Sequence, residues 1–227
     1  MKKIREISDK HGLYVVEDAC HAIKAHRDGR FAGSFGVSGC FSFHPLKNLN
    51  VWGDGGMIVT NNSELHDKLV LLRNHGLRNR DECEIWGYNS RLDTLQAIVA
   101  DVMLGKLDHI TNSRISNAQY YDQELSSIPQ ITIPKRDASK QVYHIYVIRA
   151  QQRDGLKNFL LANGIDAKVH YPIPMHLQPA AKSLGYKAGD FPMAEAVCDS
   201  VLSLPVHEFI TRAQQNKVVK TIRRFYK

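Results

Sequence analysis

The chain has only four cysteines, Cys20, Cys40, Cys83 and Cys198, and they stand far apart. They form no CxxC pair and no convincing disulfide framework, so a reducing, cytoplasmic setting is expected. No apolar run approaches the length needed to span a bilayer, so no membrane partner is expected. The N-terminal MKKIREISDKHG lacks the long apolar stretch and small-residue cleavage site of a secretory signal. His144, His170, His176 and His207 have no metal-ligand spacing among themselves, and no zinc or iron site is read from them. No internal repeat is evident. The formal charge is +7, which permits nucleic-acid binding. The basic residues, however, are scattered over helix-like segments, with no aromatic–basic interleaving and no reading motif, so nucleic acid is not the expected partner. The same charge suits an anionic small molecule.

What is present is an ordinary globular composition, 43% apolar over 227 residues, enough for a sizeable core and two small domains. Lys2–Lys10 carries a helical pattern that ends at His11–Gly12. Leu13–Glu17 reads as a buried parallel strand, a continuous apolar run with a β-branched pair. Asp28–Gly29 is a tight-turn signal. Strands are expected at Gly39–His44 and Met57–Thr60, then a helix capped by Asn61–Asn62 with Leu65, Leu69 and Leu72 on one face. A charged loop covers Asn74–Trp86. From Arg91 a long helical pattern with a bend carries Leu95, Ile98, Val102 and Leu107, extends to Ser126 and links the two domains. Beyond it come a strand at Val142–Arg149, a helix at Gln151–Ala162 and a strand at Ile165–His170. The proline-rich YPIPMHLQP reads as an extended loop. Helices at Phe191–Val201 and Thr211–Arg224 flank a short extended Leu202–Pro205. The first half thus reads as α/β and the second as a small α+β domain.

The chemistry concentrates in Gly39–Gly56, GCFSFHPLKNLNVWGDGG, and in the LYVVEDACHA run upstream. Asp18 and Lys47 both lie just beyond strand-like runs, where open α/β sheets place their binding groups, and are expected to face one ligand. Lys47 reads either as a solvated loop residue or as a Schiff-base lysine, activated by partial desolvation and neighbouring cations. Asp18 reads either as a cap on a local turn or as the partner of a cationic ring nitrogen, such as that of pyridoxal phosphate. His21 is a packed histidine or a neighbour of that ring. Ser42 suits a phosphate contact, or is a satisfied strand hydroxyl. His44, two residues on, shares its side and contacts cofactor or substrate, or simply packs.

The run YVVEDACHAIKAHRDGRFAGSFGVSGCFSFHPLKNLNVWGDGGMIVTNN resembles the central motif block of the DegT/StrS-type sugar aminotransferases. YNSRLDTLQA, Arg114 with Tyr120, and HYPIPMHLQPA are also similar to that family, so the resemblance covers essentially the whole chain, in the right order. It implies a partial fold-type I PLP-transferase large domain, a mostly parallel sheet with helices, over 1–110. It implies a small α+β domain with the linking helix over 111–227. The implied cofactor is pyridoxal 5'-phosphate. The implied reaction moves an amino group from an amino acid, usually glutamate, to a keto sugar, commonly nucleotide-linked or phosphorylated, in amino-sugar biosynthesis.

By that resemblance Lys47 forms the Schiff base and shuttles protons, Asp18 pairs with the pyridine nitrogen and Ser42 binds the cofactor phosphate. His21 stands beside the ring, where many relatives carry Gln. Asn89 reaches the phosphate held by the neighbouring subunit of a homodimer, while Arg91 and Asp93 hold the loop and interface. His44, His170, Tyr171 and His176 lie on the substrate side. Related PLP-dependent dehydratases replace the lysine with histidine, so Lys47 stands against that class. The resemblance also implies that a long N-terminal part of the family is missing here. The alternative reading is therefore a truncated, non-catalytic remnant or fragment that binds PLP, sugar nucleotide or a partner subunit.

Overall fold

The computed structural model describes residues 1–227. The chain divides into two compact units. One comprises Met1–Thr111 with Ala138–Val142, and the other Asn112–Asp137 with Tyr143–Lys227. No helix is long and apolar enough to cross a membrane.

The first unit opens with α1 (Lys2–His11), closed by Gly12 in the left-handed conformation at φ 61°, a position where glycine carries no Cβ penalty. Next comes β1 (Val16–Asp18), followed by a small hairpin of β2 (His26–Arg27) and β3 (Arg30–Phe31). Asp28 and Gly29, both at positive φ, make its two-residue turn. β4 (Ser38–Ser42) runs parallel to β1 and antiparallel to β5 (Gly56–Val59), giving a three-stranded sheet in the order β1-β4-β5. α2 (Ser63–Arg73) follows, its first turn capped by Asn62, whose Oδ1 accepts from Leu65 N–H at 2.8 Å.

β1 is parallel, as its apolar run predicts, but it is shorter than Leu13–Glu17 and not buried. Val16 is 62% exposed and Tyr14 85%. β1 is an edge strand, so one side of its backbone and one face of its side chains remain open to solvent. A compact buried cluster of Phe43, Leu49, Val51 and Leu107 lies beneath the loop that follows β4.

α3 (Thr94–Leu125) is one continuous helix of 32 residues that starts in the first unit and ends in the second. The second unit holds an antiparallel sheet, β6 (Ile131–Thr132), β7 (Tyr146–Ala150) and β8 (Val201–Leu204), in that order. α4 (Arg153–Ala162), α5 (Pro192–Ser200) and α6 (Arg212–Phe225) belong to the same unit. α6 starts with a full capping box between Thr211 and Gln214. The core joins Leu156 and Leu160 of α4 and Val218, Val219 and Ile222 of α6 to Ile148, Leu202 and Leu204 of the sheet. Each such side chain contributes about 1.5–3 kcal/mol on burial.

Two expectations fail here. Ile165–His170 is not a strand: it meets the sheet at a single bridge, where Lys168 and Ser203 exchange backbone hydrogen bonds of 3.1 and 2.8 Å. Ala167 N–H turns instead to Ile165 C=O, 3.2 Å away, which bends the segment out of ladder register. The run YPIPMHLQP is not wholly extended. Met175–Leu177 and Pro179–Leu184 are short 3-10 helices, the second with proline in its first turn. There the fixed φ of proline favours a helical start.

Candidate active site

Parallel pairing places Asp18 opposite Cys40. Ser42 is two residues further along β4, so side-chain alternation puts Val16, Asp18, Ser38, Cys40 and Ser42 on one face. Asp18 and Ser42 therefore end adjacent parallel strands on the same side of the sheet. Glu17 lies on the opposite face. Its carboxylate accepts from the backbone N–H groups of Gly33 (2.9 Å), Gly36 (2.8 Å) and Phe35. This pins the glycine-rich loop against β1. Only glycine fits at position 36, where a Cβ would lie 2.1 Å from the Val15 carbonyl oxygen.

The chain leaves β4 through a closed loop. Lys47 N–H donates to His44 C=O at 2.8 Å, and Val51 N–H donates to Phe43 C=O at 3.0 Å. Ser42 Oγ accepts from His44 N–H at 3.2 Å, and His44 Nδ1 accepts from Leu46 N–H at 3.2 Å. Both side chains thus shape the turn that carries Lys47, and the Ser42 hydroxyl keeps its proton for another acceptor. The carbonyl of Lys47 accepts from Asn50 Nδ2 at 3.1 Å. Buried Asn48 and Leu49 follow directly. Lys47 itself is half-buried, and no hydrogen bond or ion pair engages its ammonium.

Asp18 caps the turn after β1, its Oδ1 accepting from Cys20 N–H at 3.1 Å. The neighbouring Cys20, whose thiol donates to the Cys40 carbonyl and whose N–H caps Asp18, and then the charges of His21 and Lys47 hold the Asp18 carboxyl below the usual carboxylate range. Burial and the Asp18 carboxylate push the Cys20 thiol up. Asp18, His21, Ser42, His44 and Lys47 all belong to the first unit, with Asp18 and Ser42 at the ends of adjacent parallel strands. Asp18 thus caps a local turn, and the cap uses one carboxylate oxygen.

Asn89 lies on the exposed loop after α2. Its backbone bridges to Asn74, and its Oδ1 accepts from Arg91 Nε at 3.1 Å. No hydrogen bond joins it to Asp18, Ser42 or Lys47. In the second unit, His170 Nδ1 lies 2.8 Å from Ser203 Oγ. Burial, and then the Lys168 charge, keep its pKa below the ordinary value. The exposed Tyr171 ring meets the His170 ring edge-on at 5.4 Å. His176 turns inward: its Nε2 is 3.0 Å from Glu195 Oε1, and its ring lies 4.7 Å from that of Phe191.

Sequence reasoning missed Glu17, Asn48 and Glu195. For Glu17 a signal existed. It alternates with Asp18, so the two acids must face opposite sides, and a glycine-rich loop follows whose N–H groups need an acceptor. Asn48 and Glu195 act on chain segments distant in sequence or across an irregular loop, which local patterns do not reveal.

Comparison with known proteins adds four findings. The family model described as "DegT/DnrJ/EryC1/StrS aminotransferase family" matches residues 1–223. The "Pleiotropic regulatory protein" of Geobacillus stearothermophilus is 42% identical over 100% of this chain and 62% of its own. A "dTDP-3-amino-3,4,6-trideoxy-alpha-D-glucose transaminase" of Streptomyces venezuelae is 40% identical over 98% of this chain and 59% of its own. The crystal structure of S. venezuelae DesV in complex with a ketimine intermediate superimposes with a TM-score of 0.96 at 39% identity, covering 100% of this chain and 62% of that one. The chain thus spans about three fifths of the length of these relatives.

Proposed function

Because the chain belongs to the DegT/DnrJ/EryC1/StrS aminotransferase family, whose members are PLP-dependent, we propose that it carries the amino-transfer site of a sugar aminotransferase. In this reading an amino group moves from an amino acid, glutamate in the first instance, to a keto sugar joined to a nucleotide. A dTDP-linked sugar named for a relative supports the nucleotide handle. The observation that carries the proposal is the unengaged amine of Lys47 on the loop leaving β4, with Asp18 and Ser42 ending two adjacent parallel strands.

The residues present fit pyridoxal phosphate by the chemistry of their donor set: a free amine, an ionised carboxylate and a hydroxyl with a proton to donate. When bound, the cofactor supplies an electron sink for the carbanion formed at the amino carbon. Lys47 would hold its aldehyde carbon. Lys47 Nζ would take the proton from the α-carbon of the amino donor and, in the reverse half of the reaction, deliver one to the sugar carbon that receives the amino group. Asp18, held ionised by Cys20, would keep a proton on the pyridine nitrogen. Ser42 would donate to the phosphate, and His21 and His44 would flank the ring and the substrate. In the second unit, His170 and Tyr171 would supply sugar-facing groups. His176, which the resemblance puts on the substrate side, has its Nε2 engaged by Glu195 at 3.0 Å.

Asn89 would serve the site of a second copy in a homodimer. Support comes from an exposed apolar stripe on α3, Leu95, Ile98 and Val102, at the spacing of one helical face. Trp86, Tyr88 and Trp52 add further exposed apolar surface in the same unit. Exposed apolar patches of this kind mark interaction surfaces. A second reading, a chain that binds PLP, sugar nucleotide or a partner subunit without turning over, is favoured by the open face of β1.

The test supplies PLP, [15N]glutamate and a dTDP-linked keto sugar, with mass spectrometry of the sugar as readout. Label is expected in the amino sugar with the native chain and not with Lys47→Ala. Absence of label with PLP retained would leave the reading of binding without turnover.

A further inference from the structure

Asn48, next to Lys47, is 4% exposed. Its Nδ2 donates to the carbonyl of Val142 at 2.9 Å, across 94 positions of sequence. The amide has its orientation fixed by that carbonyl, and its Oδ1 accepts no hydrogen bond from the protein. Val142 is itself buried. It ends the strap Ala138–Val142, which packs with the first unit although the chain on either side of it belongs to the second. The strap is anchored a second time through Lys140, which exchanges backbone hydrogen bonds with His26 of β2 at 2.8 and 3.3 Å.

The Lys47 loop is otherwise held by bonds to residues close in sequence, Ser42 to His44, His44 to Leu46 and Lys47, Lys47 to Asn50, and Phe43 to Val51 and Gly55, and by burial of Phe43, Leu49 and Val51. We propose that Asn48 is a positioning residue for the reaction: its amide clamps the Lys47 loop to the returning strap and fixes where the Lys47 amine stands. The inference rests on Lys47 being the Schiff-base lysine. The chemistry of the clamp requires a donor. Alanine would leave the Val142 carbonyl buried without a partner, and aspartate would set a carboxylate against it. Small misplacements of a reacting group lower rates steeply.

The experiment compares Asn48→Ala, Asn48→Asp and a control, Leu49→Ala, which loosens the same buried cluster while keeping the amide. Two readouts are taken: amide hydrogen exchange of residues 44–51 without cofactor, and the rate at which PLP and borohydride trap an adduct on Lys47. Both Asn48 variants are expected to exchange at least tenfold faster in 44–51 with β4 unchanged, and to trap at least tenfold more slowly. Leu49→Ala is expected to change the ratio of loop to strand exchange less than twofold. If Asn48→Asp does not fold, Asn48→Ala carries both readouts. Equal effects in the Asn48 and Leu49 variants, or unchanged loop exchange in Asn48→Ala, would overturn the clamp. If the native chain traps no Lys47 adduct while the exchange difference persists, the Schiff-base reading fails and the clamp survives only as a loop anchor, without its role in the reaction.

Discussion

The two units solve the problem of stability differently. The second closes around its own core: eighteen buried apolar residues from its sheet and helices form one cluster. The first, which carries Asp18, Ser42 and Lys47, buries a cluster of only four beneath the Lys47 loop. It leaves Tyr14, Val16, Met57 and Ile58 of its sheet region and Leu95, Ile98 and Val102 of α3 exposed. Apolar surface of that extent is energetically poor in water. The candidate site therefore sits in the unit that relies more on directed hydrogen bonds, from Glu17 and Asn48 in particular, and on surfaces that can be covered by another chain segment or copy. The second unit supplies a scaffold that needs neither.

Substitutions can break this contrast. The largest loss is expected from Arg114→Ala in the second unit. Arg114 pairs with Glu208 at 2.9 Å, the two side chains being 9% and 12% exposed, and it also donates to the carbonyls of Tyr143 and His144. Breaking a buried pair costs about 3–5 kcal/mol, read as a lower urea midpoint for that unit. A loss below about 1 kcal/mol would mean the pair is not needed for a scaffold this well packed. In the first unit, Glu17→Ala should cost about 2 kcal/mol by stranding three backbone N–H groups. Faster amide exchange at Gly33–Gly36 would locate the loss, and unchanged exchange there would refute it. Leu95→Ala should leave the stability of a single copy within about 0.5 kcal/mol yet weaken self-association about tenfold in sedimentation. No change in association would detach the α3 stripe from any dimer.

The smallest effect is one of pH. Burial and Lys168 lower the His170 pKa from its ordinary 6.5. Between the folded value and 6.5 the unfolded chain binds more protons than the folded one, so the stability linked to this group is full above 6.5 and is lost as pH falls below it. Melting curves of His170→Gln should therefore be flatter than those of the native chain below pH 6.5, and parallel curves would contradict the assignment.

Much of this architecture was legible because its signals are local. The αL glycine at 12, the Asp28–Gly29 turn, the Asn62 cap and the Thr211 helix start each depend on a few adjacent residues. The placement of Asp18 and Ser42 at the ends of adjacent parallel strands was legible, since such strand ends gather at one edge of a sheet. The exposure of β1 was not, because an apolar run states that a strand would be buried and not whether its covering layer is at hand. Nor was the single bridge at Lys168, where pairing is decided by Ser203, 35 positions later. Asn48 shows the same limit: an asparagine beside a lysine in a loop is unremarkable until Val142 is seen above it.

The most direct measurement is borohydride reduction of the chain incubated with PLP, followed by mass spectrometry of its peptides, beside Lys47→Ala. One phosphopyridoxyl group on the peptide containing Lys47, with none in the variant, is the predicted result. Label spread over exposed lysines such as Lys68, with Lys47 unmodified, would contradict a Schiff-base site on the loop that leaves β4.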